Sequence, residues 1–220
     1  MQKHYGEELH HLKETLLRMG GLAETMTIRA VQALVERKAE MLPEVKEAEI
    51  QVNQLHIDVD EIALELIARR QPTATDLRFI AAAMKINTDL ERIGDQAINI
   101  VEKAQELLAV PPVKPLIDIP RMAEIAEEML KGALDAFVRG DVELAFRNIE
   151  KDDAVDQLKN QVFRELLTFM MADPSTIARS MDLILVSRHL ERIADHATNI
   201  CEDVIFMVKG KDVRHQGPLA

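Results

Sequence analysis

Apolar residues recur at helical spacing along almost the whole chain. From Leu90 to Leu107, and again from Leu190 to Val204, they follow one another at intervals of three and four residues. This spacing places them on one face of a helix, whereas patterns typical of strands and hairpins are absent. Isolated prolines and a glycine separate the periodic segments. We predict six helices, over residues 3–41, 44–70, 75–108, 120–139, 142–171 and 175–208.

An internal repeat organises these helices into two halves. The segment DLERIGDQAINI (89–100) matches HLERIADHATNI (189–200), and the preceding helices align at an offset of 103 residues. Four of the eight prolines fall within VPPVKPLIDIP (110–120), which cannot continue a helix. The sequence therefore predicts an all-α fold of two tandem antiparallel three-helix bundles. The predicted boundaries are 1–110 for the first bundle, 111–120 for the linker, 121–210 for the second bundle and 211–220 for a C-terminal tail.

Composition and charge restrict the cellular compartment and the kinds of partner that the protein can have. The formal net charge of −11 disfavours nucleic acid as a partner, because most of the surface would repel a phosphate backbone. The longest apolar runs are far shorter than the ~20 residues of a membrane-spanning helix, and the N-terminus has no signal-peptide pattern. A single cysteine, Cys201, cannot form an internal disulfide and fits a reducing compartment. We expect a cytoplasmic protein that does not insert into a membrane.

Each half carries the same acidic motif, E-x-x-x-D, on its last helix. The spacing of four residues puts both carboxylates on one helical face, well away from the apolar seam. In both halves an asparagine follows the aspartate by four residues, one turn further along the same helix. The candidate ligands on these helices are Glu91, Asp95 and Asn99 in the first half and Glu191, Asp195 and Asn199 in the second.

The second helix of each half holds a matching pair of polar residues. Asp152 and Asp156 form this pair in the second half, and Glu49 and Asn53 occupy the equivalent positions in the first. Asp156 precedes Pro174 by 18 residues and Glu191 follows that proline by 17. In an antiparallel hairpin, equal distances from the turn mean equal heights, so four carboxylates are expected to converge in the second half. Asn53 gives the first half one carboxylate fewer.

Carboxylates held this close repel one another unless protons, basic side chains or cations neutralise them. A set of oxygen ligands selects hard ions such as Mg, Ca, Mn or Fe. The other interpretation is a solvated charged face, with Arg92, Arg188 and Arg192 pairing with the acids. The recurrence of the motif in both halves favours the metal-binding surface.

The segments DLRFIAAAMKINTDLERIGDQAINI and SMDLILVSRHLERIADHATNI resemble the PhoU family, and the resemblance covers nearly the whole chain. It implies two three-helix bundles related by a pseudo-two-fold axis, and a homodimer. It also implies multinuclear metal clusters on the acidic motifs, although the Glu49/Asn53 pair departs from the family pattern. The implied function is negative regulation of phosphate uptake and of the phosphate-starvation response. The implied partners are the ATPase subunit of the phosphate ABC transporter and a membrane sensor kinase.

Two other functions remain open from the sequence. One is a carboxylate-ligated metalloenzyme, but such enzymes place their ligands inward and usually include histidine, and we find no catalytic motif in the chain. The other is a metal-free helical adaptor whose acidic faces bind basic partners. We therefore expect a regulator that is not an enzyme.

Overall fold

The computed structural model describes residues 2–211 and 213, with side chains from residue 5 onward. Within this range the chain is helical and contains no strand. Most of the predicted tail, residues 212 and 214–220, lies outside the described residues. The helices are α1 Gln2–Glu36, α2 Leu42–Arg70, α3 Ala74–Leu108, α4 Asp118–Arg139, α5 Val142–Ile149, α6 Asp152–Ala172 and α7 Ile177–Lys209, with short 3₁₀ turns at Ala39–Met41 and Pro174–Thr176.

The helices form two three-helix bundles that share one extended core. α1, α2 and α3 pack together in the first bundle. In the second, α5 and α6 together take the place of one helix and pack with α4 and α7. The bundles meet where α3 packs along α7 and α1 packs on α4. Phe79 of α3 stacks on Phe137 of α4 with ring centroids 5.6 Å apart, so the core is continuous between the halves. The predicted fold class is confirmed.

The paired glycines of α1 lie where this helix approaches α4. The sequence leaves open whether Gly20 and Gly21 kink the helix or allow a close contact; α1 runs through them without a break. A Cβ atom at Gly20 would lie 2.5 Å from Cδ1 of Leu134, whereas nothing lies within 4 Å of such an atom at Gly21. Gly20 therefore permits the close approach of the two helices.

The first helix ends earlier than the pattern predicts, at Glu36 rather than near residue 41. The chain turns at Arg37, which has a left-handed φ of 56°. Its guanidinium donates hydrogen bonds to the carbonyl oxygens of Leu108 and Val110, at 2.9 and 2.8 Å. These bonds satisfy free carbonyls at the end of α3 and thereby offset the cost of the unusual backbone conformation.

The predicted helix over 142–171 is interrupted at Glu150 and Lys151, so it forms two helices, α5 and α6. No proline or glycine marks this position. Tertiary contacts accompany the break: the buried Asn148 donates hydrogen bonds to the carbonyl oxygen of Met129 (2.6 Å) and to Sγ of Cys201 (3.3 Å). These bonds hold the end of α5 between α4 and α7 while the chain turns into α6.

Candidate metal site

The structure brings acidic residues of α6 and α7 to the same height in the second half. The ammonium group of Lys159 lies between them, with Nζ 2.7 Å from Oδ1 of Asp156 and 2.7 Å from Oε1 of Glu191. One side chain can bridge the two helices only if both carboxylates stand at one level. The equal heights predicted for Asp156 and Glu191 by counting residues from Pro174 therefore agree with the structure.

Asp152 and Asp195 belong to the same cluster. Burial, followed by the charges of Asp195, Asp156, Asp153 and Glu191, raises the pKa of Asp152 to about 6. Burial also raises the pKa of Asp195, together with the charges of Glu191 and Asp156. The charges of the other three predicted carboxylates thus act on Asp152, and those of Asp156 and Glu191 act on Asp195. We call the surface formed by Asp152, Asp156, Glu191 and Asp195 the second acidic face.

The first half shows a looser version of this arrangement. Burial raises the pKa of Glu49, as do the charges of Asp95 and Glu102, so Glu49 lies near α3 as expected. Glu91 and Asp95 both lie beside Arg92 of their own helix, at 3.4 and 3.3 Å. The positive charge next to these two acids therefore comes from their own helix and not from a bridge between helices. Asn53 is exposed on α2.

The two predicted asparagine ligands lie one helical turn beyond the acidic motifs, on α3 and α7. Asn199 donates a hydrogen bond to Oδ1 of Asp89 (3.1 Å), so it faces α3 at the contact between the two halves. His196 contacts the same oxygen through Nδ1 at 2.8 Å. Asn99 is partly buried, one turn beyond Asp95 on α3. The structure thus gives Asn199 a role in joining the halves.

Sequence reasoning missed Lys159 and Glu102. Lys159 follows Asp156 by three residues and shares its helical face, which is the only signal that the sequence offers. Its equivalent in the first half is His56, so the repeat does not point to it. Glu102 follows Asp95 by seven residues on the same face of α3, and a search for heptad spacing would find it.

The donors of the second acidic face are of the kind that hard cations prefer, but a cationic side chain lies among them. Within the described part of the chain, no group of three or more His, Cys, Asp or Glu side chains is arranged to hold a metal ion. Lys159 supplies one positive charge between Asp156 and Glu191, while Asp152 retains its raised pKa. Metal binding by these residues, and by those of the first half, stays a prediction.

Fold and site together define a class: a tandemly repeated helical-bundle protein with an acidic face on each half. The sequence model of the PhoU domain matches residues 16–104 and 119–204. The chain belongs to the PhoU family. None of the helices in the described residues is long and apolar enough to cross a membrane.

Curated relatives and solved structures agree with this assignment. The chain is 39% identical over 218 residues to the Pseudomonas putida homologue of the phosphate-specific transport system accessory protein PhoU, covering 99% of this chain and 85% of that protein. It is 41% identical over 210 residues to the Aquifex aeolicus homologue, covering 96% and 95%. The crystal structure of PhoU from Pseudomonas aeruginosa superposes with a TM-score of 0.91 at 38% identity, covering 94% of this chain and 100% of that one. That of the regulatory protein PhoU from Streptococcus pneumoniae gives 0.87 at 27%, covering 95% and 99%.

Proposed function

We propose that this chain is an accessory regulator of phosphate transport that restrains high-affinity uptake and the phosphate-starvation response when phosphate is plentiful. It acts in the cytoplasm, as a homodimer, on the ATPase subunit of the phosphate ABC transporter and on a sensor kinase. Family membership across both repeats supports this role, as do relatives named accessory and regulatory proteins rather than enzymes. The net charge of −11 favours protein partners over nucleic acid.

We further propose that the second acidic face binds a hard divalent or trivalent cation in exchange for Lys159. The observation that carries this proposal is the ammonium group between Asp156 and Glu191, beside an aspartate whose pKa is raised to about 6. A lysine brings one positive charge to four carboxylates, so negative charge remains uncompensated. An ion of higher charge at the same level would relieve more of the repulsion.

Replacement of Lys159 by a metal ion would change the surface that the protein offers to its partners. Lys159 would leave the space between the helices and turn to solvent on its flexible stem. Asp156 and Glu191 would then bind the ion from α6 and α7, with Asp152 and Asp195 completing the oxygen set. Because these residues come from both helices, their joint binding would fix the position of α6 relative to α7. The bound and free states would therefore offer different surfaces to a partner.

Substitution of the cluster tests the metal site directly. Asp152→Asn combined with Asp195→Asn should lower the metal content of purified protein measured by elemental analysis. Lys159→Met should strengthen Mn²⁺ binding in calorimetry by roughly tenfold, since a competing charge is removed. Lys114→Met is the matched control, because Lys114 pairs with Glu165 away from this face. Equal metal content and affinity in all four proteins would refute the site.

Regulation is tested in cells that lack their own PhoU-family protein. Expression of this chain should lower phosphate uptake and phosphate-starvation gene expression in phosphate-rich medium. The Asp152→Asn, Asp195→Asn variant should be present at the same level but restrain uptake less, if metal binding shapes the partner surface. Unchanged uptake on expression of the wild-type chain would contradict the regulatory role itself.

A metal-free adaptor is the second candidate, and the ion pairs of Lys159 favour it specifically. Lys159 already joins α6 to α7, so the hairpin has a bridge without any metal. This alternative predicts that chelation leaves thermal stability and partner binding unchanged. It also predicts that Lys159→Met destabilises the protein and gains no affinity for Mn²⁺.

A further inference from the structure

An exposed apolar groove runs between α6 and α7, next to the second acidic face. Phe163 of α6 and Met181 of α7 line it together with Ile184 and Arg188. Phe163 is 49% exposed and Met181 is 45% exposed, so two large apolar side chains in one groove face solvent. The acidic face ends at Lys159 and Glu191, which also line this groove.

The apolar surface continues to the end of the hairpin. Leu167 and Met171 follow Phe163 at intervals of four residues on α6, and Ile177 precedes Met181 by four on α7. These three residues are also exposed, and Met171 reaches 78%. The groove residues thus extend for about 12 to 16 Å along the two helices, which is the length of two to three helical turns.

The first half differs from this groove at three positions. Under the repeat, Phe163 corresponds to Asp60, Met181 to Ala81 and Arg188 to Thr88. Asp60 is engaged in its own half, where it accepts a hydrogen bond from Asn87 at 3.0 Å. The same hairpin therefore folds with polar or small residues at these three positions. Exposed apolar side chains still occur in the first half, where Ile57, Leu64 and Leu77 stand at the positions of Asn160, Leu167 and Ile177.

One arginine lines the groove, and a second follows Phe163 on the exposed side of α6. These residues, Arg188 and Arg164, are both exposed, and among the described residues neither has a carboxylate within ion-pair distance. An apolar strip bordered by unpaired positive charge complements an apolar strip bordered by carboxylates. An amphipathic helix whose apolar side carries residues at spacings of three, four and seven would present such a strip.

We propose that the groove of Phe163, Met181, Ile184 and Arg188 docks an amphipathic helix of a partner protein, with carboxylates along the helix edge. This proposal rests on the proposed function, since it gives the regulator a surface for a protein partner. The apolar residues of the partner helix would pack between α6 and α7. Its carboxylates would meet Arg188 on one side and Arg164 on the other.

Synthetic helices serve as the probe. We would use a fluorescein-labelled 18-residue peptide with leucines along one side and glutamates along its edges, with alanine elsewhere. A second peptide carries lysines in place of the glutamates. Fluorescence anisotropy should show the wild-type protein binding the glutamate peptide at least about tenfold more tightly than the lysine peptide. Equal affinities, or no binding of either peptide, would overturn the proposal.

Variants that carry the residues of the first half locate the binding. Phe163→Asp, Met181→Ala and Arg188→Thr, combined in one protein, should weaken binding of the glutamate peptide by at least about tenfold. Ile57→Ser is the matched control, because Ile57 is 51% exposed on α2, outside the groove, and this variant should bind as the wild type does. Arg188→Glu should shift the preference towards the lysine peptide. Binding that survives the triple substitution would refute the assignment to this groove.

Two further measurements make the outcome decisive. Circular dichroism should show unchanged helix content in the triple variant, and Arg188→Glu provides a surface change that tests the charge preference even if the triple variant fails to fold. Sedimentation compares the oligomeric state of the wild type with that of the variant that lacks Phe163. If the wild type is a dimer and the variant a monomer, a second copy of the chain covers the groove and the proposal is wrong. Peptide binding and phosphate uptake are measured independently, so a failure here is distinguishable from a failure of the regulatory role.

Discussion

Replacing Asp152 by asparagine should stabilise the metal-free protein at neutral and alkaline pH. Asp152 begins α6, and its pKa of about 6 shows that the ionised form is unfavourable in the folded state. Because the folded-state pKa exceeds the unfolded value, the folded protein binds more protons between pH 3.8 and 6. The carboxyl group therefore lowers stability as pH rises through that window, and the full penalty is present above it.

The size of the effect is the balance of three contributions. The shift from 3.8 to about 6 sets an upper limit of about 3 kcal/mol. Partial solvent contact screens the repulsion, which we take to reduce it by about half. A carboxylate in the first turn also interacts favourably with the helix dipole, and its loss costs about 0.5 kcal/mol. The repulsion still wins, so Asp152→Asn should gain about 1 kcal/mol, or roughly 2 to 4 °C in melting temperature.

Thermal unfolding in the presence of a chelator measures this gain at pH 8 and at pH 4. The variant should melt higher than the wild type at pH 8, and the difference should nearly vanish at pH 4. Burial and nearby cations lower the pKa of His189 to about 4, which makes the wild-type protein lose stability as pH falls below 6.5. Both proteins contain His189, so its contribution cancels in the difference. A lower melting temperature for the variant at pH 8, or a difference independent of pH, would refute the reasoning.

Other expected outcomes concern packing and chemical reactivity. Gly21→Ala should raise the free energy of unfolding by about 0.5 to 1 kcal/mol through helix propensity. Gly20→Ala should give a smaller gain or a loss, because its new methyl group would clash with Leu134. Urea unfolding compares the two variants, and equal gains would contradict the close approach of α1 to α4. Burial raises the pKa of the Cys201 thiol to about 11. A thiol reagent at pH 8 should therefore label Cys201 only as fast as the protein unfolds. Rapid labelling of the folded protein would contradict this burial.

The fold could be predicted from the sequence because two kinds of information agree. Helical periodicity identifies the helices, and the match between 89–100 and 189–200 shows that they form two equivalent sets. The height of the carboxylates follows from the same regularity, since both arms of an antiparallel hairpin rise equally from the turn. Asp156 and Glu191 accordingly share one lysine.

The details that could not be predicted depend on contacts between distant segments. The break between α5 and α6 has no proline or glycine; it accompanies hydrogen bonds from Asn148 to residues 19 and 53 positions away. Lys159 lies between two acids only because α6 and α7 approach closely, and the first half has histidine there. Local patterns carry no information about such contacts.

The contact between the halves shows how a repeated fold acquires different chemistry at equivalent places. Position 89 meets position 196, and position 189 meets position 96, so the two contacts are related by the repeat. One joins Asp89 to Nδ1 of His196 at 2.8 Å, and the other joins Oε1 of Gln96 to Nδ1 of His189 at 2.9 Å. The geometry is the same, but only one contact carries a negative charge. The same applies to the outer faces of the hairpins. In the second half Lys159 bridges two acids and Phe163 lines a groove, whereas the equivalent positions of the first half hold His56 and Asp60. Backbone symmetry is therefore a reliable guide to where a site can lie, while its charge and ligand must be established for each half by itself.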